Sequence, residues 1–512
     1  MKLWRFTPRT RATFILGATL LVSCLACEAR NRPASLLGGR QTGAAGKLTA
    51  VAVDNPASQN VSVQENLATP LPRRPNYQPG ELVDYTAQTG DILPALATRF
   101  NTSVAEILAA NSIIPEYATT MPPGMPMKIP IYYLPFWGTP YKIMPDSLFV
   151  NGPAEIGFDA ESFVAEYPGW LKDYQGFAGG SNRSGAGIVD LVALRYSISP
   201  RLLLALLEYQ AGALTQAAPP GNGDYPLDYR NKRYQGVYLQ LIWAANVLND
   251  GYYSWRSGGL TSFEFSNRRI ERPDPWENAA TVSLHYYFSR LQPEDVYSQS
   301  ISPEGFAATY HSLFGDPWAA DQPHIPGSLE QPKLTLPFEP GKIWAYTGGP
   351  HTAWGNGQPW AALDFAPPSV ASGCVWSDEW VTAMAPGLVT REDMGMVILD
   401  LDGDGDERTG WVIFYMHVAT KEKVALGARL ETGDFIGHPS CEGGNVTGTH
   451  VHIARKYNGE WILADGPLAF NLDGWIAHNG NMAYQGTLTR VSQVVLASTT
   501  SNFKTHIARE GQ

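Results

Sequence analysis

A multidomain chain is predicted, built from a small β-α-α-β unit, a mainly α middle domain and an antiparallel all-β C-terminal domain. Three observations predict it. At 512 residues the chain is longer than one hydrophobic core organises. Leu- and Ala-rich runs of helical length lie before about residue 318. Beyond about residue 334, short alternating runs separated by Gly/Asp turns take over, the period-two signature of strands. A hydrophobic content of 44% with 17% charged residues suits folded domains. The net charge of −11 supplies no basic footprint, which argues against nucleic-acid binding.

Lys2, Arg5, Arg9 and Arg11 precede the apolar run Phe14 to Val22, too short to span a membrane and suited to an export signal over residues 1–23. Leu21-Val22-Ser23-Cys24 resembles a bacterial lipobox. The resemblance implies cleavage before Cys24, lipidation of its sulfur and anchoring to the outer face of the cell membrane. Cys27 is the poorer match, because Cys24 would then occupy the position that prefers Leu. Residues 24–81 are rich in Ala, Gly, Pro, Asn, Gln and Ser without apolar period, and read as a disordered tether. The other two cysteines, Cys374 and Cys441, are an isolated pair in an exported chain, which favours a disulfide over free thiols.

Residues 82–131 supply the small unit. Val83 to Thr86 reads as a strand, Gly90-Asp91 as a turn, and Ile92 to Phe100 and Val104 to Asn111 as helices before a returning strand. Ser103 with Glu106 has capping-box spacing. Tyr85-Thr86, Gly90-Asp91-Ile92-Leu93, Ala97 with Phe100, Ile107 with Asn111, and Pro123-Gly124 through Pro130 together resemble a LysM domain. That resemblance implies binding of N-acetylglucosamine polymers, with Gly90, Asp91 and Ile92, and further on Ile113 and Ile114, as the glycan contacts.

Residues 145–318 read as mainly helical, with helices expected from Ser199-Pro200, over Val237 to Leu248, and from Asn278 to Phe288. Their order is faintly similar to lysozyme-like transglycosylases. The catalytic Glu that the resemblance requires aligns with Gln210, which cannot donate a proton, and Glu208 is out of register. A non-catalytic glycan-binding or spacer role is therefore expected. In the next domain, 334–485, Val397-Ile398-Leu399 and Val412 to Met416 are strands. The run Asp400 to Asp406 between them starts like a calcium loop, but its twelfth position is Trp411 in place of a bidentate Glu, so an acidic turn is favoured. Residues 486–512 read as a C-terminal extension.

The chain has 10 His, none before His285. In Thr449-His450-Val451-His452-Ile453, strand periodicity points both imidazoles to one face and Val451 and Ile453 to the other. Upstream stand Gly348-Gly349-Pro350-His351, Leu363-Asp364-Phe365 and Tyr415-Met416-His417. With Ala383 to Gly387 and the Gly427…Gly433 to Gly437 run, this order resembles the M23 zinc peptidases, the lysostaphin- and LytM-like enzymes. Most members carry His-x-x-x-Asp, which would place the first His at position 360, here Trp360. The spacing of 13 from His351 to Asp364 instead looks like the β-lytic and staphylolysin branch. The resemblance implies that His351, Asp364 and His452 hold one zinc ion with an open fourth position, and that His417 and His450 handle the proton and the oxyanion.

The expected activity is a surface-anchored zinc metalloendopeptidase that hydrolyses peptide bonds of peptidoglycan cross-links, brought to the wall by LysM. The alternatives are a catalytically inactive M23-fold regulator of wall hydrolases, and a glycan hydrolase using the middle domain.

Overall fold

The computed structural model describes residues 77–265, 267–369 and 371–511. The export signal, Cys24 and the tether up to residue 76 lie outside them. Within the described part, strands Glu81–Thr86 and Pro126–Ile131 pair antiparallel beside helices Leu93–Arg99 and Val104–Ala110. Pro94 sits in the opening turn, where a missing N–H removes no helical bond. The capping box is complete. The Ser103 hydroxyl accepts from the Glu106 amide at 3.2 Å, and the Glu106 carboxylate accepts from the Ser103 amide at 3.1 Å. Ser103→Ala is expected to cost about 1 kcal/mol, measured as a lower urea midpoint; an unmoved midpoint would mean the box is redundant.

Pro200–Ala211 opens as the sequence predicts, with the Ser199 hydroxyl accepting from the Leu202 amide at 3.1 Å. The helix expected to end at Leu248 runs on, as Val237–Ser257, to a left-handed Gly258 at φ 77°. Asn249 and Gly251 resemble a stop signal, but tertiary packing uses both. The Asn249 side chain donates to the Tyr196 carbonyl, and Gly251 admits the neighbouring helix Ala279–Leu291, since a Cβ there would lie 2.9 Å from Ser283 Cα. Helices Gly185–Tyr196 and Phe306–Phe314 are additional; Gly185 and Gly187 at the start of the first mask its period.

The β part centres on a fully antiparallel sheet. Its strands run in the order Arg429–Leu430, Gly387–Asp393, Gly395–Asp400, Trp411–Val418, Val451–Tyr457, Trp360–Ala366, Ile343–Thr352 and His506–Ala508. The C-terminal residues are thus woven in and do not extend beyond a finished domain. His506–Ala508 is the edge of the main sheet, and Gly486–Arg490 with Gln493–Leu496 completes a small sheet with Asn471–Leu472 and Trp475–Asn479. The acidic run is the connection between Gly395–Asp400 and Trp411–Val418. Its carboxylates accept amides of the run itself, Asp400 those of Asp402 and Gly405, and Asp404 that of Asp406.

The two faces of the main sheet bury different partners. Leu363, Phe365, Ile413, Tyr415, Val451 and Ile453 join Trp475, Ala477 and Leu488 in one core. Ala362, Ile398, Val412, Phe414, Met416 and Ala454 face the other way and belong to the core of the helical part. Helices and sheet therefore share a hydrophobic core. A buried polar cluster ties in the small unit: Arg256 donates to the Thr89 carbonyl, to the Tyr252 hydroxyl and to the Glu460 carboxylate, which also bonds His324 at 2.7 Å.

Candidate active site

The sheet register assembles the site. Val451–Tyr457 sets His452 opposite Asp364 on one neighbour and Met416 on the other. On the next strand Gly348 faces Asp364, and successive register shifts between Tyr346 and Thr352 bring His351 opposite Ala362. These irregularities carry a His lying far upstream back to the aspartate. Only glycine fits at 348, because a Cβ would lie 2.4 Å from Asp364 Oδ2.

His351 Nε2, Asp364 Oδ1 and His452 Nδ1 form a triangle with sides of 3.0, 3.2 and 3.3 Å, and all three residues are buried. The other ring nitrogens are spoken for. His351 Nδ1 donates to the Gly349 carbonyl at 2.8 Å and His452 Nε2 to the Ala353 carbonyl at 3.1 Å. Each neutral ring therefore turns a lone pair, not a hydrogen, toward the triangle. Asp364 Oδ1 is buried there without a hydrogen-bond partner. Two lone pairs and a carboxylate at this separation repel, and a cation resolves the repulsion. Zinc bond lengths in a tetrahedral site put ligands about 3.3 Å apart. The donor set, of net charge −1, fits zinc with one position open.

His417 and His450 flank the triangle, with ring centroids 4.6 Å apart. The Nδ1 of His417 donates to the Glu442 carbonyl and that of His450 to the Gly448 carbonyl, both at 2.8 Å. Their Nε2 atoms keep the free lone pairs, and that of His450 stands 3.8 Å from Asp364 Oδ1. His417 has φ +64°, a left-handed conformation that costs a non-glycine residue about 1–2 kcal/mol. Burial above all pushes its pKa down to about 3, so its ring rests neutral. The Cys374–Cys441 disulfide forms and braces this end of the site. Beside it, the Val375 amide donates to the Thr449 hydroxyl and the Thr449 amide to the Gly373 carbonyl.

A cleft of about 680 Å³ opens over these residues. Two of its features escape sequence reasoning. Tyr484 stacks on His351 with ring centroids 4.1 Å apart, reaching the site from a turn in the small sheet. The opposite wall comes from the helical part, through Val192, Arg195, Tyr196, Tyr238 and Ile242. A lone Tyr far downstream and a wall from another domain leave no local spacing to read. Tyr415 is core, its hydroxyl accepting from the Met384 amide. His438 bonds Glu379 and Glu422 away from the triangle. Trp360 opens its strand and is not among the cleft-lining residues.

The three glycan contacts expected in the small unit sit at an interdomain contact. Asp91 is buried, its carboxylate accepting from Tyr85, Arg99 and the Gln88 amide. Gly90 and Ile92 line a cavity of about 60 Å³ with Arg256, Ile325 and Glu460. A polar cluster claims this turn, with Arg99 donating to the Asp91 carboxylate and Arg256 to the Thr89 carbonyl. Ile114 is buried, whereas Ile113 is 85% and Tyr117 87% exposed on the following loop. In the helical part, Glu208 accepts from the Leu214 amide and the Thr215 hydroxyl, and Gln210 bonds Leu227 and Tyr287, so both are spent on structure.

Comparison with known proteins finds two family models and several relatives that match parts of the chain. Residues 85–130 match the LysM domain model and residues 142–327 the model described as "LasA, N-terminal domain". Protease LasA of Pseudomonas aeruginosa is 25% identical over 347 residues, covering 63% of this chain and 75% of that protein. The β-lytic metalloendopeptidase of Achromobacter lyticus is 29% identical over 145 residues, 26% of this chain and 35% of that protein. Among solved structures, the deep-sea M23 metalloprotease pseudoalterin superposes with a TM-score of 0.28 at 23% identity, over 33% of this chain and 96% of its own. The resemblance drawn from the His and Asp motifs is borne out: the chain is related to protease LasA and the β-lytic metalloendopeptidases, and it carries a LysM domain.

Proposed function

We propose that the chain is an exported zinc metalloendopeptidase that hydrolyses peptide bonds of peptidoglycan cross-links, held near the wall by its LysM domain and a lipidated Cys24. The observation that carries this is the triangle of His351, Asp364 and His452, with two further imidazoles presenting acceptor nitrogens in one cleft. A zinc ion held there would polarise the scissile carbonyl and bring the pKa of a water towards 7. His417 and His450, each fixed by a backbone carbonyl, receive the proton of the attacking water at Nε2 and return it to the leaving amine. The Tyr484 ring shields His351 from solvent on one side. Export suits the disulfide, which persists in an oxidising compartment. An inactive regulator would call for a missing ligand, and the donor set is complete.

The test is release of new amino groups from cross-linked peptidoglycan by the full chain, with zinc, with chelator, and as His450→Ala. His450→Ala is expected to keep its zinc and lose about 10²-fold or more in rate, as removal of one acid–base group does. Release that persists in chelator, or reducing-end release in place of amines, would overturn the reading.

A further inference from the structure

The metal ligands differ in how their outer nitrogens are held. His351 uses the Gly349 carbonyl of its own strand, whereas His452 uses the carbonyl of Ala353, the first residue of the loop 353–359. That loop is hung from the helical part. Asn246 Oδ1 accepts from the Asn356 amide and Asp250 Oδ1 from the Gln358 amide, each at 2.7 Å. Four residues apart on Val237–Ser257, the two acceptors project from one helix face. The Asn246 amide is oriented in turn, because its Nδ2 donates to the Ile242 carbonyl at 2.8 Å. The loop approaches so closely that a Cβ at Gly355 would lie 2.5 Å from Asn246 Oδ1, and one at Gly357 2.1 Å from Asp250 Oδ1. Both glycines also have left-handed φ, +79° and +80°.

We propose that Asn246 and Asp250 are positioning residues for the metal ligand His452, acting through the loop whose Ala353 carbonyl fixes its ring. The helical layer then completes the metal site besides walling the cleft. This rests on the zinc-site reading above. An acceptor on a ligand's outer nitrogen fixes its tautomer and aim, and its loss typically weakens metal binding 10–100-fold. Here the acceptor is a backbone atom, so its placement is set by whatever holds the loop.

The experiment measures zinc affinity of the full chain by competition with a chromophoric chelator, alongside kcat/KM and a melting curve. The variants are Asn246→Ala/Asp250→Ala, the exchange Asn246→Asp/Asp250→Asn, which keeps an oxygen acceptor at both positions, and Gly357→Ala, which leaves the helix untouched and crowds the loop off Asp250. The double alanine variant and Gly357→Ala are expected to bind zinc about 10-fold more weakly, and the exchange variant to recover most of that loss. Wild-type affinity in Gly357→Ala or in a folded double alanine variant would overturn the proposal. So would equal weakening in the exchange variant, or a rise in kcat/KM at unchanged affinity, which would make the contact a restraint. Absence of stoichiometric zinc from the wild type would instead sink the metal reading on which the inference stands.

Discussion

His351→Ala is expected to abolish stoichiometric zinc binding and to lower amine release by far more than the 100-fold that marks the upper end of outer-partner losses. Trp360→Ala is expected to keep the metal. The pair of variants decides which upstream position serves as the first ligand. The common M23 spacing points to 360, whereas the geometry places His351 Nε2 3.0 Å from His452 Nδ1 and 3.3 Å from Asp364 Oδ1. Without that ring the site has two protein donors, short of the three that hold a catalytic zinc. Asp364 Oδ1, already without a hydrogen-bond partner, would then face a void under Tyr484. Zinc content measured on the folded variants checks this. Full occupancy in His351→Ala, or loss of metal in Trp360→Ala, would refute the assignment.

The site was largely legible in the sequence because its parts obey short-range rules. Period two placed His450 and His452 on one face, and Val451 and Ile453 do fall in the opposite core. The capping box, the Ser199-Pro200 helix start and the isolated cysteine pair are equally local signals, and each appears where expected. What stayed hidden depends on contacts distant in sequence. The helix that outran its predicted end did so because Asn249 and Gly251 are satisfied by packing against Tyr196 and Ser283. The acceptance of Ala362, Phe414 and Met416 into the helical core is invisible in a strand that is apolar on both faces. Tyr484 and the wall containing Arg195 reach the cleft from elements with no motif of their own.

Arg256→Met is expected to destabilise the whole described unit by about 3–5 kcal/mol, the usual result of removing one partner from a buried ion pair. Arg256 is 5% exposed and lies 3.0 Å from Glu460 Oε2 and 3.2 Å from Asp146 Oδ2. It also donates to the Thr89 carbonyl, so one guanidinium joins the LysM turn, the long helix and the β part. Its loss strands the Glu460 carboxylate in a dry interior, with only Tyr252 and His324 left to bond it. The pH dependence carries the same signature. Burial raises the Glu460 pKa, but Arg256 and then His324 outweigh it and bring the value down to about 2. A depressed carboxyl stabilises the fold fully above its unfolded pKa, about 4.3, and progressively less as pH falls towards 2. In Arg256→Met that contribution is already lost, so its deficit against wild type is expected to be widest near pH 7 and to narrow below pH 4. Thermal unfolding across this range reads both effects. A deficit below about 1 kcal/mol, the scale of an exposed pair, or one that does not change with pH, would show that the three parts are held together by apolar packing and not by this cluster.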